Sequence, residues 1–167
     1  MRSKLALILA ASLGLTACAA TEIDQPPIRY VATKSLQERG TSSFLVVTYT
    51  RQPGQTRKQV RGVPCTFAGD GFKSTFNTPA VVISPNMGAR TPVASVTCEL
   101  NGEKKTKIVE AYNETLAGIN NGAMAATTGG GLVGLIVGGA VAAVQAGNRD
   151  VNQDVFGYPD VDITFGG

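Results

Sequence analysis

The chain has 167 residues, of which 43% are hydrophobic and 16% are charged. This length and composition predict one domain with a buried core and argue against a wholly disordered chain. There are 15 Lys and Arg residues against 12 Asp and Glu residues, and there is no His and no Trp. The sequence shows no basic stripe, so no nucleic-acid partner is predicted. Without His it lacks the commonest general base and the commonest metal ligand.

The N-terminus has the pattern of a secretory signal peptide. Arg2 and Lys4 provide a positive start, residues 5–15 form an apolar run, and small residues precede Cys18. The apolar run is too short to remain in a bilayer as a spanning helix. The sequence therefore predicts that the chain is exported.

The four residues Leu15-Thr16-Ala17-Cys18 resemble a bacterial lipobox. The resemblance implies that residues 1–17 are a cleaved lipoprotein signal peptide and that Cys18 becomes the acylated first residue of the mature chain. Ala19 stands where Asp would imply retention in the inner membrane, so the resemblance implies an outer-membrane lipoprotein facing the periplasm. The expected partner is thus the membrane, through the lipid anchor, and no cofactor besides the covalent lipid is expected.

Cleavage and acylation at Cys18 have two consequences. Cleavage removes Arg2 and Lys4 and leaves 15 − 2 = 13 basic against 12 acidic residues, a nearly neutral protein. The resemblance also implies a diacylglycerol on the Cys18 thiol and a further acyl chain on its new amino group, and two or more acyl chains hold a protein on a membrane far more firmly than one does. The alternative is an ordinary signal peptide cleaved after Ala17 or Ala20, with Cys18 unmodified or removed.

Two cysteines remain after Cys18 is acylated. Cys65 and Cys98 both lie in strand-like runs, and in an exported, oxidising compartment they are expected to form a disulfide. By the loop-entropy model it should contribute about 3–4 kcal/mol. The alternative is a redox-active or metal-binding pair. That role normally needs a close Cys-x-x-Cys spacing or accompanying His ligands, which the sequence lacks.

The mature chain begins with a predicted tether and continues as a β-domain. Residues 18–29 are polar, contain Pro26-Pro27 and predict a flexible lipidated tether. Residues 30–113 show a β pattern, and 30–39 are expected to hold a short strand or a turn. Strands are predicted over 44–50, 60–67, 72–77, 80–84, 93–100 and 105–111, with a type I′ hairpin signal at Asn101-Gly102. This spacing predicts a small antiparallel β-sandwich or open barrel, and the Gly/Ala-rich helical segment that follows it makes the predicted fold class α+β.

Short motifs in this region occur in a familiar order. Gly62-Val63-Pro64-Cys65 is followed by Gly71, by Thr78-Pro79 with Val81-Val82-Ile83, and by Val96-Thr97-Cys98. Together with Gly157-Tyr158-Pro159, they resemble the PEGA-like β-domains of bacterial surface and periplasmic lipoproteins. No catalytic residues are associated with such domains, so the resemblance implies none here.

A glycine-rich segment, residues 114–149, follows the β-domain. It includes 34 residues without a charge (115–148), and helices are predicted over 115–126 and 132–146. Small residues recur at every fourth position, a spacing that lets two helices approach closely. The row resembles the glycine-zipper segments of outer-membrane lipoproteins, and its members are Gly130, Gly134, Gly138, Ala142 and Ala146. Two interpretations stay open: a zipper that associates with the membrane or forms oligomers, or a helix or helical hairpin packed on the β-domain.

Residues 150–167 are predicted to return to the β-domain through an edge strand over 161–165. Neither group of acidic residues nearby predicts a metal site or a catalytic pair. Asp150, Asp154, Asp160 and Asp162 lack the Gly and the Glu of a calcium loop and are expected on a solvated surface. Glu99, Glu103, Glu110 and Glu114 are expected on a solvated face beside Lys104, Lys105 and Lys107.

These expectations lead to one hypothesis and two alternatives. The hypothesis is a non-enzymatic cell-envelope lipoprotein with a structural or scaffolding role. In the first alternative the β-domain is a periplasmic binding module for a partner protein or a glycan. In the second the glycine zipper drives a membrane-active oligomer. A homo-oligomer or an envelope protein is a possible partner in each case.

Overall fold

The computed structural model describes residues 21–120 and 150–166. Within these two ranges the chain is mostly β-strand, as predicted, and no helix is long and apolar enough to cross a membrane. The predicted acylation site Cys18 and the small-residue row from Gly130 to Ala146 lie outside the described residues.

Strands in chain order are β1 Ile28–Arg29, β2 Val31–Ala32, β3 Gly40–Thr50, β4 Lys58–Val60, β5 Val63–Gly69, β6 Phe72–Thr78, β7 Ala80–Asn86, β8 Ala94–Leu100, β9 Glu103–Val109, β10 Tyr112–Asn113, β11 Phe156–Gly157 and β12 Val161–Phe165. The α-helix found in the described ranges is α1, Glu114–Asn120, and 3-10 turns cover Gly88–Arg90 and Val151–Gln153. The rest of the predicted helix 115–126 and all of the predicted helix 132–146 lie outside those ranges.

Two sheets curl around one core, which is compatible with the predicted β-sandwich or open barrel, and we refer to them together as the barrel. The first sheet has the order β1-β7-β3-β12, with β4 also paired to β3, and the second has the order β2-β6-β5-β8-β9. At one seam the chain passes from β1 to β2 through the buried Tyr30. At the other seam β9 and β12 lie side by side, and the Lys105 Nζ donates to the Thr164 carbonyl oxygen at 2.8 Å.

Two strand pairs depart from the predicted antiparallel arrangement. β1 pairs with β7 and β12 pairs with β3, both in parallel. The cause is topological, since β12 starts where the chain returns from the glycine-rich segment and must run in the same direction as β3. The prediction of an edge strand over 161–165 is confirmed by β12, which pairs with β3 only.

Two of the predicted strand boundaries are wrong. The run 60–67 is not one strand, because Gly62 adopts a φ of +75° between β4 and β5 and sends the chain from the first sheet to the second. β3 begins at Gly40 rather than at residue 44. Its first residues are small and mostly polar, and they include the buried Ser42 and Ser43. Apolar periodicity does not detect such polar positions.

Alternation of buried, inward-facing residues with exposed, outward-facing residues is clearest in β6. In β6 the inward residues Phe72 and Phe76 are buried while Lys73 and Thr75 between them are exposed. Asn101 and Gly102 have φ of +52° and +83°, the geometry of the predicted type I′ turn between β8 and β9.

Aromatic side chains fill the centre of the barrel. Phe67 is fully buried, and its ring centroid lies 4.9 Å from that of Phe44 and 5.3 Å from those of Phe72 and Tyr158. The Tyr158 hydroxyl donates to the Pro92 carbonyl oxygen at 2.5 Å, so its one polar atom is satisfied. These contacts join β3, β5 and β6 to the C-terminal part of the chain.

The barrel has two distinct ends. At the tether end, β3 and β12 finish and β5 and β7 begin, and at the far end β3 begins and β7 finishes. At the tether end Gln25 donates through Nε2 to the Pro79 carbonyl oxygen at 3.0 Å, and Asp24 pairs with Arg61. Residues 24–29, predicted to belong to the flexible tether, therefore lie against the β-domain.

Candidate functional site

The far end of the barrel joins both ends of the glycine-rich segment. β10 and β11 pair in antiparallel fashion, with Tyr112 opposite Gly157 and Asn113 opposite Phe156. One step further, the Glu114 backbone N–H donates to the Val155 carbonyl oxygen at 2.9 Å. The chain thus leaves the β-domain and returns to it at the same place. We call this junction the clamp.

Side-chain hydrogen bonds close the clamp around the start of α1. The Asn113 Oδ1 accepts from the Leu116 N–H at 2.9 Å, so Asn113 is the N-cap of the helix. Its Nδ2 donates to the Asp154 Oδ2 at 2.7 Å on the returning chain. The Thr115 Oγ1 accepts from the Val155 N–H at 2.9 Å. The same short sequence therefore caps the outgoing helix and binds the incoming strand.

Glu114 was expected on a solvated face, and that prediction is wrong. The carboxylate is half-buried and accepts a hydrogen bond at 2.5 Å from the Ser42 hydroxyl of β3. Burial raises the pKa of Glu114, the Ser42 hydrogen bond lowers it, and the nearby charge of Asp160 raises it further. A Cβ on Gly157 would overlap both the Glu114 Oε1 and the Ser42 Oγ, so this junction requires a glycine.

Asn86 ties the end of β7 to the clamp. Its Oδ1 accepts from the Gly88 N–H at 2.9 Å and from the Phe156 N–H at 3.1 Å. Its side chain is buried, so both hydrogen bonds form away from solvent. The clamp is therefore connected to β7 and, through Ser42, to β3.

Three of the four C-terminal aspartates are exposed as predicted, and one is not. Asp150 caps the 3-10 turn through the Asn152 N–H, Asp160 accepts from the Leu45 N–H at 2.7 Å, and Asp162 pairs with Arg57. Asp154 is only 4% exposed because it lies inside the clamp, where its carboxylate accepts a hydrogen bond from the Asn113 Nδ2. The prediction of a solvated surface is therefore wrong for Asp154.

The other glutamates lie on the surface as expected. Glu99 pairs with Lys104 at 3.4 Å and Glu103 pairs with Lys105 at 3.1 Å, all with exposed or half-exposed side chains. Glu110 is exposed at the end of β9. Over residues 21–120 and 150–166, no group of three or more His, Cys, Asp or Glu side chains is placed to hold a metal ion.

The predicted disulfide between Cys65 and Cys98 is confirmed. The two residues lie directly opposite each other on β5 and β8, with a Cα–Cα distance of 4.1 Å and a bonded S–S distance of 1.93 Å. Both side chains are buried and belong to the core cluster. The bond joins β5, the central strand of the second sheet, to its neighbour β8.

The outer face of the second sheet carries a shallow depression of about 510 Å³. One threonine from each of four neighbouring strands forms a row across this face, in the order Thr75, Thr66, Thr97 and Thr106. Pro64, Asn77, Glu99 and Lys104 form the next row. The depression is open, and its titratable pair, Glu99 and Lys104, is satisfied by its own ion pair.

The clamp is therefore the best-built polar site in the described residues, and it was only partly predictable. Gly157 belongs to a motif that the sequence singles out, but nothing in the sequence indicates that Ser42 and Glu114 meet, because 72 positions separate them. Hydrogen bonds within the chain occupy its side chains, so its chemistry is to hold two chain segments together. Comparison of the chain with protein-family models, with curated proteins and with solved structures gives no match.

Proposed function

We propose that this protein is a cell-envelope lipoprotein that acts as a structural adaptor. A lipid on Cys18 anchors one end of the β-domain, and the glycine-rich segment binds a partner at the other end. The observation that carries the proposal is that the two segments join the barrel at opposite ends. The tether contacts Pro79 and Arg61 at one end, and the segment leaves at Glu114 and returns at Val155 at the other.

The tether is short enough to keep the domain close to the membrane. Six residues, 18–23, separate the proposed lipid from the first residue held on the domain, Asp24. Fully extended, they reach about 20 Å. The tether end of the barrel therefore faces the anchoring membrane at short range.

The barrel then acts as a spacer. β3 has 11 residues and runs from the far end to the tether end. At about 3.3 Å per residue, a strand of this length is about 33 Å long. A partner bound at the far end is held at this distance from the tether end of the barrel.

The clamp restricts how the glycine-rich segment can be used. A single spanning helix would place the returning chain on the opposite side of a bilayer, whereas Glu114 and Val155 are bonded to each other. Two spanning helices need about 40 apolar residues, and the uncharged run has 34. These constraints support a partner in the same compartment, either a second copy or another envelope protein, with the small-residue row as the contact.

Fatty-acid labelling with membrane fractionation tests the anchor. We expect the wild-type protein to incorporate the label and to sediment with outer membranes, and Cys18→Ala to be exported without label and recovered in the soluble fraction. Mass spectrometry of the mature wild-type N-terminus provides an independent measurement. A chain that begins at another residue with no lipid contradicts the proposal.

Chemical cross-linking of membranes tests the proposed contact between the small-residue row and its partner. We expect Gly134→Leu combined with Gly138→Leu to abolish the cross-linked species, because bulky side chains would hold the proposed contact surfaces apart. The matched control is Val133→Leu with Val137→Leu, which has the same spacing on a neighbouring face and should leave cross-linking intact. Equal behaviour of the two variants contradicts the proposed contact, and dye leakage from vesicles would favour the membrane-active alternative.

A further inference from the structure

A basic loop connects the two sheets at the tether end. Residues 51–61 contain four cationic side chains and no acidic one, and the cations are Arg51, Arg57, Lys58 and Arg61. Every residue from 51 to 59 is exposed, and so is Arg61. We refer to residues 51–61 as the basic loop.

The fold places the basic loop directly beside the tether. Its first residue is fixed by the Arg51 N–H, which donates to the Phe165 carbonyl oxygen at 2.9 Å, and its last part forms β4 against the end of β3. Arg61, the last residue of the loop, pairs with Asp24, where the tether meets the domain. The loop and the lipid-bearing segment therefore share one end of the barrel.

Two of the four cations have carboxylate partners and two do not. Arg57 pairs with Asp162 at 2.8 Å and lies over the Tyr49 ring, and Arg61 pairs with Asp24. Arg51 and Lys58 make no ion pair with any residue that the structure describes. Exposed cations of this kind remain available to an external anion.

Acidic side chains lie at both ends of the barrel, and four of those at the tether end are paired with cations. Asp24 and Asp162 pair with Arg61 and Arg57 of the basic loop, and Glu99 and Glu103 pair with Lys104 and Lys105 beside the β8–β9 turn. Arg51 and Lys58 lie at this end without an ion pair in the described ranges, so an anionic surface would attract them.

We propose that the basic loop is a docking surface for the anionic phospholipid headgroups of the membrane that holds the lipid anchor. This proposal rests on the proposed lipid anchor at Cys18, which brings the tether end of the barrel close to that membrane. Exposed charges interact over a Debye length of about 8 Å at physiological salt, and the tether brings the loop within about 20 Å at full extension and closer otherwise. Docking fixes the orientation of the barrel, with the clamp directed away from the bilayer.

Vesicle co-sedimentation tests the docking surface without the lipid. The protein is the whole mature chain, residues 18–167, carrying Cys18→Ser. Its binding is compared between vesicles of phosphatidylglycerol mixed with phosphatidylcholine and vesicles of phosphatidylcholine alone. We expect binding to the anionic vesicles only, weakened by added salt. Each basic residue near such a surface changes partitioning by about fivefold, so Arg51→Gln with Lys58→Gln should lower it by about 25-fold.

A matched variant distinguishes an effect of the basic loop from an effect of the protein's net charge. Lys73→Gln with Arg90→Gln removes two exposed cations that also lack an ion pair in the described ranges, and both are nearer the far end. It should retain binding, as should Arg51→Lys with Lys58→Arg. Equal loss in the matched variant, equal binding to both vesicle types, or no binding at all overturns the docking surface. Because this protein carries no lipid, none of these results affects the anchor, which fatty-acid labelling tests separately.

Discussion

Removal of the Cys65–Cys98 disulfide gives the most direct measure of what stabilises the barrel. The bond closes a loop with a sequence separation of 33 residues between β5, the central strand of the second sheet, and its neighbour β8. A loop of this length restricts the unfolded chain by about 4 kcal/mol in the loop-entropy model. We expect Cys65→Ala with Cys98→Ala to lower the free energy of unfolding by that amount. With a urea m-value of about 1.5 kcal/mol/M, the midpoint should fall by about 2–3 M.

The assay is urea denaturation of the mature chain, followed by circular dichroism. The wild-type protein measured with a reductant should unfold at the same urea concentration as the double variant. The matched control is Thr66→Ala with Thr97→Ala, the next cross-strand pair on the same two strands. That pair should contribute about 1 kcal/mol or less. If the cysteine variant loses no more stability than the threonine variant, the loop-closure argument is wrong.

The clamp gives two further predictions. Gly157→Ala should lower thermal stability by about 1–3 kcal/mol, because its Cβ overlaps Glu114 and Ser42. Gly118→Ala has open space around its Cβ, and it should raise stability slightly in the helix. Glu114→Gln tests the raised pKa, which means that the folded protein binds the proton more tightly than the unfolded chain does. Stabilisation by that proton is fully present below the unfolded pKa and is lost as pH rises through the folded pKa. Urea titrations should therefore show the glutamine variant more stable than wild type at neutral pH, with a difference that shrinks in acid. A constant difference contradicts the burial argument.

Local sequence signals predicted much of the β-domain correctly. The period-2 pattern around Phe72 and Phe76 and the Asn101-Gly102 turn are visible in short windows of sequence, and the disulfide partners are the two cysteines that remain besides Cys18. Each depends on residues close in sequence, or on a compartment argument that leaves a single pair of cysteines. Local patterns of this kind do not depend on long-range contacts, so one sequence is enough to predict the strand and the turn.

The errors arise where long-range contacts decide the outcome. The small polar residues at the start of β3 resemble a loop, but pairing with β7 makes them a strand. Glu114 resembles a surface residue, but the return of the chain at Val155 half-buries it beside Ser42. The parallel pairing of β12 depends on where the chain re-enters the domain. None of these three facts is encoded within a few residues of the position concerned.

One strand, β7, connects the two functional ends that we propose. Where it begins, Gln25 of the tether bonds to the neighbouring Pro79 carbonyl oxygen, and β1 pairs alongside. Where it ends, the Asn86 side chain accepts from Phe156 of the clamp. β7 has seven residues and is buried along almost its whole length. At about 3.3 Å per residue, it connects the tether to the clamp across about 20 Å of paired backbone. A load between the proposed anchor and a partner at the clamp would therefore act along the covalent backbone of β7, which its seven paired positions with β3 hold in place.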